Sequence, residues 1–259
     1  MKKLLAVVIT LCLGMSVLCA CGAKEEQTAG SAQAVSTVTK GKLTMGTNAA
    51  FPPYEFYEGE AIVGIDAEIA GAVAEKLGLE LEIIDMDFGS LVSAVQTGKI
   101  DVALAGMTKT PEREENVDFS TTYATGVQVI IVTDDSAIAS ADDLANAELI
   151  GVQDSTTGHI YCSDDFGEDH VIAAPNGATA VQSLLQGKVD CVVIDKQPAE
   201  AFVAANEGLK ILDTEYVTEE YAAAISKDNN ALRDAFNAAL AELTADGTIQ
   251  AILDKYISE

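Results

Sequence analysis

The chain has 259 residues, 49% of them hydrophobic, and a formal net charge of −26. That length and apolar content suffice for one large or two small globular domains with real cores. A surface this acidic argues against nucleic acid as a partner and against a basic patch that would hold anionic lipid. It favours cationic or zwitterionic ligands instead.

Lys2 and Lys3 precede an uncharged apolar run over residues 4–18, shorter than a membrane span needs. The run ends in Leu18-Cys19-Ala20-Cys21-Gly22, which resembles the lipobox of bacterial lipoproteins. Residues 1–20 are therefore expected to be a lipoprotein signal peptide and Cys21 the lipidated residue, with plain secretion as the alternative. Acyl chains on Cys21 would hold the protein on an extracytoplasmic membrane face. Residues 23–40 are mostly Ala, Ser, Thr, Gln, Glu and Lys with little periodicity, and residues 21–40 read as a flexible tether. The globular body begins at about Gly41. It keeps two of the five cysteines, Cys162 and Cys191. An oxidising compartment permits a bridge. Cys191, however, stands in an apolar strand where small buried thiols are common, and free thiols are the expectation.

The body then alternates. Residues 42–46 form a strand, 64–78 a helix with Ile65, Ile69, Ala72, Val73 and Leu77 on one stripe, and 79–84 a strand. Gly78 is a good helix stop. A helix over 89–96 and a strand over 100–105 follow. The second half repeats the alternation: strands over 127–132, 149–152, 189–194 and 210–212, helices over 141–144, 157–166, 178–186 and 198–205. This order predicts an α/β protein with mostly parallel sheets. Residues 231–243 and 248–257 are amphipathic helices separated by Asp246-Gly247. Leu232, Phe236, Ala239, Leu240 and Leu243 line one face, which is expected to pack back on one lobe.

One unit occurs twice. VQTGKIDVALAG (residues 95–106) and LQGKVDCVVID (residues 185–195) both run from Gln through Gly-Lys to a branched residue, Asp and a short apolar strand. Each Gly-Lys ends a helix and starts a strand, which points to two similar halves. Ligands in open α/β sheets bind outside the carboxyl ends of strands. Those ends are the Gly106 region and Asp195, facing a shared cleft. Just beyond Gly106, Thr110 can cap a helix whose first turn holds Pro111 and Arg113. There the Arg113 guanidinium could clamp a carboxylate with two parallel hydrogen bonds. The Gly106 carbonyl and the Thr108 amide or hydroxyl could complete an amino-acid head-group site. Residue type alone leaves a second reading open, a surface ion pair with Glu112, Glu114 or Glu115. His159 and His170 stand near Asp164, Asp165, Glu168 and Asp169, but without metal-ligand spacing, and read as a solvated acidic face. No cofactor and no catalytic triad is expected.

Five segments carry a family resemblance: TNAAFPPYEFY (47–57), GIDAEIAGAVAEKL (64–77), AGMTKTPER (105–113), VDFSTTYATG (117–126) and GVQDSTTG (151–158). Together they resemble the solute-binding proteins of polar amino-acid ABC transporters, extracellular solute-binding protein family 3, over nearly all of residues 41–259. Ala67 departs from the larger apolar residue usual in the signature helix. The resemblance implies a two-lobed periplasmic-binding-protein fold. Lobe 1 is residues 41–123 plus 221–259, lobe 2 residues 127–217, and the hinges are 124–126 and 218–220. It implies a monomer that captures a small L-amino acid by lobe closure and delivers it to an ABC permease in the membrane.

The resemblance also implies roles for residues. Arg113 holds the α-carboxylate, with the Thr108 amide and with Thr157 at a helix N-terminus. Asp195 accepts the α-ammonium, with the Gly106 carbonyl and the Thr108 hydroxyl. Phe51 and Phe88 sandwich the ligand side chain. Basic-amino-acid binders of the family tend to carry an acid where this chain has Asn48. Asn48 and Gln153 are neutral and can donate and accept. They suit a polar uncharged side chain such as glutamine first, and a basic amino acid next. The rival function is an enzyme on the same fold, a prephenate-type dehydratase. Its dicarboxylate substrate would be repelled by Asp195.

Overall fold

The computed structural model describes residues 35–257. The expected signal peptide, the lipidation site Cys21 and the tether up to residue 34 lie outside the described residues. The last part of the segment read as tether is bound to the body. The Val38 amide donates to Asp101 Oδ1 at 2.7 Å, and the Ser36 carbonyl accepts from Asn229 Nδ2 at 2.9 Å.

Two principal sheets form the two lobes. In the first, the strand order is Glu80–Asp85, Lys42–Thr47, Val102–Ala103, Ala224–Ile225, Asp118–Phe119. In the second it is Val171–Ala174, Ile150–Gln153, Cys191–Asp195, Ala124–Thr133, Leu209–Ile211, with Val217–Tyr221 also paired to Ala124–Thr133. The first three strands in each order are parallel, and the remaining pairs are antiparallel. The mixture has a simple cause. The chain passes to the second lobe along Ala124–Thr133 and returns along Val217–Tyr221. Two opposite crossings side by side must pair antiparallel, from Val217 against Gln128 to Tyr221 against Ala124.

The repeated unit has one structural job, done twice. Gly98 and Gly187 both take left-handed backbone (φ 67° and 66°) just after a helix, where any side chain would be strained. The next amide closes each cap, Lys99 to the Ala94 carbonyl and Lys188 to the Ser183 carbonyl, both at 2.9 Å. The Asp that follows staples the start of the neighbouring parallel strand. Asp101 Oδ2 accepts from the Thr44 amide at 2.8 Å, and Asp190 Oδ2 accepts from the Leu149 amide at 3.0 Å. The duplicated motif therefore sets strand register in both lobes.

The helix Ile65–Leu77 buries Ile65, Ile69 and Val73 against the first sheet. The helices Asn230–Ala245 and Thr248–Tyr256 pack on it. Leu232, Phe236, Ala239, Leu240 and Leu243 are all buried, as the amphipathic pattern predicts. Residues 50–63 form a small antiparallel meander of Ala50–Phe51, Glu55–Glu58 and Ala61–Val63. Its first turn points Glu55 into the protein, where it is 1% exposed. Cys162 and Cys191 are buried free thiols.

Candidate functional site

A small cavity of about 20 Å³ lies between the lobes. All nine predicted ligand-facing residues line it: Asn48, Phe51, Phe88, Gly106, Thr108, Arg113, Gln153, Thr157 and Asp195. They come from strand ends and helix starts of both sheets. The cavity is therefore where the carboxyl ends of the two repeated strands converge.

Arg113 is reached as the local sequence predicts. Thr110 caps the short helix Pro111–Glu114, its hydroxyl accepting from the Arg113 amide at 3.2 Å. The Arg113 side chain turns inward and is buried. The surface ion pair left open by residue type is not made: Lys109 pairs with Glu114 at 3.0 Å instead. One guanidinium nitrogen donates to the Thr108 carbonyl at 2.6 Å and the other to the Ser155 carbonyl at 3.1 Å. The guanidinium carbon stands 5.2 Å from the Phe88 ring centroid, so Phe88 stacks on Arg113. Burial lowers the Arg113 pKa, and Glu219 is the foremost charge opposing that shift.

Ser155 belongs to the second lobe, so the Arg113 bond crosses the cleft. A second crossing bond joins Gln153 Nε2 to Asn48 Oδ1 at 3.0 Å. Asn48 also donates to the Met86 carbonyl at 3.1 Å. The two amides read from sequence as facing the ligand are thus bonded to one another, and the lobes meet over the cavity.

The opposite wall is acidic. Asp195 Oδ2 accepts from Gln128 Nε2 at 2.8 Å, and its Oδ1 accepts from the Tyr221 hydroxyl. Burial, reinforced by the charge of Glu219, raises its pKa to about 7 against those two bonds. Asp66, on the first turn of its helix, is fully buried. Its Oδ2 accepts from the Gly106 amide at 2.7 Å and the Tyr123 hydroxyl at 2.9 Å. Burial raises its pKa to about 6. Glu55, which lines the cavity, is pushed well above the usual carboxylate range by burial and by Asp66 beside it. Glu55 Oε2 and Gln153 Oε1 are buried acceptors with no donor. Gly106 takes φ +52°, and a Cβ there would sit 2.8 Å from the Phe51 ring. The bare backbone is what lets Phe51 close that side.

Sequence reasoning missed Glu55, Asp66, Gln128, Glu219 and Tyr221. Only one had a visible signal. Glu219 and Glu220 are adjacent on a strand, so one must face inward.

Two lobes closing on a small polar cavity, with an arginine on one side and carboxylates on the other, define a solute-binding protein rather than a scaffold for nucleic acid. The chain belongs to the bacterial extracellular solute-binding proteins, family 3, whose sequence model matches residues 43–259. It is 35% identical over 270 residues to the arginine-binding extracellular protein ArtP of Bacillus subtilis, covering 100% of this chain and 99% of that one. It is 30% identical to the ABC transporter arginine-binding protein 1 of Escherichia coli, covering 84% and 91%. Among solved structures, an ancestral arginine-binding protein bound to arginine superposes with a TM-score of 0.79 at 39% identity, over 85% of this chain and 99% of the other. An ancestral arginine-binding protein bound to glutamine gives 0.80 at 38%, over 85% and 100%.

Proposed function

We propose that this protein is the binding component of an ABC importer for a basic L-amino acid of the arginine type. Arg113 and the start of the helix Thr157–Phe166 receive the α-carboxylate, and Asp195 with the Gly106 carbonyl receives the α-ammonium. Closure about the ribbon of residues 124–128 and 217–221 presents the loaded form to a membrane permease, while Cys21 carries the lipid anchor. The observation that carries the choice of ligand is Glu55, whose buried, donorless oxygen belongs to a residue lining the cavity. A zwitterion's two charges are matched by Arg113 and Asp195. Glu55 is left over beside Asp66, with Glu55 Oε2, Asp66 Oδ1 and the Gln153 amide oxygen all lacking a donor, and this group suits a cationic, donor-rich side chain. The arginine-binding names of the relatives agree. Glutamine is the second reading, favoured by the neutral Asn48–Gln153 pair and by the glutamine-bound ancestral protein.

The test is thermal unfolding of denatured and refolded protein against L-arginine, L-lysine, L-glutamine and a prephenate-like dicarboxylate. A ligand at 100 times its dissociation constant adds about 2.7 kcal/mol, or about 5–10 °C for a chain of this size. L-Arginine gives the largest shift, and Glu55→Gln narrows the margin over L-glutamine. A larger shift with L-glutamine overturns the ligand choice. A shift with the dicarboxylate alone overturns the transport reading in favour of an enzyme.

A further inference from the structure

The return crossover Val217–Tyr221 carries a buried acid to which the head-group site assigns no task. Strand alternation sends Glu219 inward and Glu220 outward. Glu220 bonds the Thr122 hydroxyl at 3.2 Å, whereas Glu219 is 5% exposed. One oxygen, Glu219 Oε2, takes two bonds: from the Thr157 hydroxyl at 2.9 Å and from Gln128 Nε2 at 3.0 Å. The same Gln128 nitrogen donates to Asp195 Oδ2 at 2.8 Å. Thr157 stands on the carboxylate side of the cavity and Asp195 on the ammonium side.

The other oxygen of Asp195 is held from the same strand, by the Tyr221 hydroxyl. Tyr221 fits only because residue 126 on the facing strand is glycine. A Cβ there would lie 2.2 Å from the Tyr221 oxygen. Both Asp195 oxygens are therefore oriented from the crossover, one directly and one through Gln128.

We infer that Glu219 is a positioning residue for the amino-acid head group: its single shared oxygen accepts from the Thr157 hydroxyl, fixing the start of that helix so that its backbone amides face the carboxylate, and through Gln128 orients the Asp195 carboxylate, so that the crossover strand and the second lobe's ligand contacts move as one unit. The inference rests on the functional reading above. It makes the hinge and the head-group site one hydrogen-bonded assembly rather than two neighbouring features. An amide oxygen at position 219 can accept both bonds, and an aliphatic side chain can accept neither.

The experiment is calorimetric titration of the purified full-length protein with L-arginine. Loss of the two bonds that Glu219 Oε2 accepts predicts about a ten- to hundredfold weaker affinity for Glu219→Leu, while Glu219→Gln, which keeps an accepting oxygen, stays within about threefold. Thr157→Val weakens binding in the wild-type background and adds nothing in the Glu219→Leu background, whereas Gln128→Met, which also removes the bond to Asp195, weakens binding in both but less in Glu219→Leu. Wild-type affinity in Glu219→Leu, or equal losses in the Leu and Gln variants, overturns the inference. If Glu219→Leu does not fold, the cycle between Thr157→Val and Gln128→Met decides. Non-additive losses support the shared oxygen, and strictly additive ones refute it. A wild-type protein that binds no amino acid in the thermal panel refutes the functional reading itself, independently of these variants.

Discussion

Replacing Asp195 by Asn separates binding from stability with a predictable sign. In the closed arrangement the Asp195 carboxyl titrates at about 7, against 3.8 for a free one, chiefly because it is buried. A carboxyl with a raised folded pKa keeps its proton in the folded state while the unfolded chain has already lost it. Its contribution is full below about pH 4 and is lost as pH rises through about 7. The cost to the wild type is then about 2 kcal/mol at pH 5 and about 4 kcal/mol at pH 8. Asn mimics the protonated acid, with one donor group and one acceptor, and carries no such dependence. Without ligand, Asp195→Asn is expected to be the more stable protein at pH 8, with the gap falling by about 2–3 kcal/mol at pH 5. In melting temperature that change in gap is about 5–10 °C. With L-arginine present, the variant shows no stabilisation. The assay is thermal unfolding of both proteins at pH 5 and pH 8, with and without L-arginine. A ligand-free variant less stable than wild type at pH 8 would refute the reasoning, because Asp195 would then be a net structural asset rather than a cost carried for binding.

Gly106→Ala forces an alanine into φ +52° with its Cβ 2.8 Å from Phe51. It should cost about 1–3 kcal/mol of stability, read by urea denaturation, and an unchanged midpoint would contradict the close packing described. Asn48→Leu removes the bond to Gln153 that joins the lobes at 3.0 Å. Stopped-flow measurement should find faster L-arginine release, by about fivefold to tenfold, with little change in the ligand-free melting temperature. Cys21→Ser should abolish incorporation of a labelled fatty acid and release the protein from the membrane fraction. Labelling that persists in this variant removes Cys21 as the anchor.

The parts legible in the sequence are those with a period or a special backbone. The stripe of Ile65, Ile69 and Val73 marks a helix, and the Gly-Lys-x-Asp repeat marks two equivalent strand ends. Thr110-Pro111 marks the cap that carries Arg113 inward. What was hidden is the layer behind the site. A buried acid such as Glu55 or Asp66 has the same letter as a solvated one, and its partners are remote: Asp66 is held by Gly106 and Tyr123. Only tertiary placement makes such acids inward-facing. Asn48 and Gln153 were legible as site residues, but their bond to each other was not. It exists because two strand ends from different lobes meet, and no sequence pattern encodes that distance.

The hidden acids bear directly on how such a cleft would work under the proposed function. In this closed arrangement Asp195 and Glu55 are out of water, and burial raises both carboxyls above their ordinary range, Glu55 with Asp66 beside it; under the proposed function part of that cost falls on closing without a cation. Two crossing bonds, Asn48 to Gln153 and Arg113 to Ser155, favour closure whether or not the cavity is filled. Had the cavity been lined by neutral groups, those bonds would hold much of the empty protein shut. The acids counter them. An arriving ammonium and cationic side chain turn that cost into attraction, so closure is favoured in the loaded protein and opposed in the empty one. The discrimination resides in the difference between the two states, which is the only quantity a ligand can shift. On this reading Glu55→Gln should weaken ligand-driven closure and also make empty closure easier. Small-angle scattering of the ligand-free variant at neutral pH would then give a smaller radius of gyration than the wild type, and equal radii would exclude the acids as the element that keeps the empty cleft open.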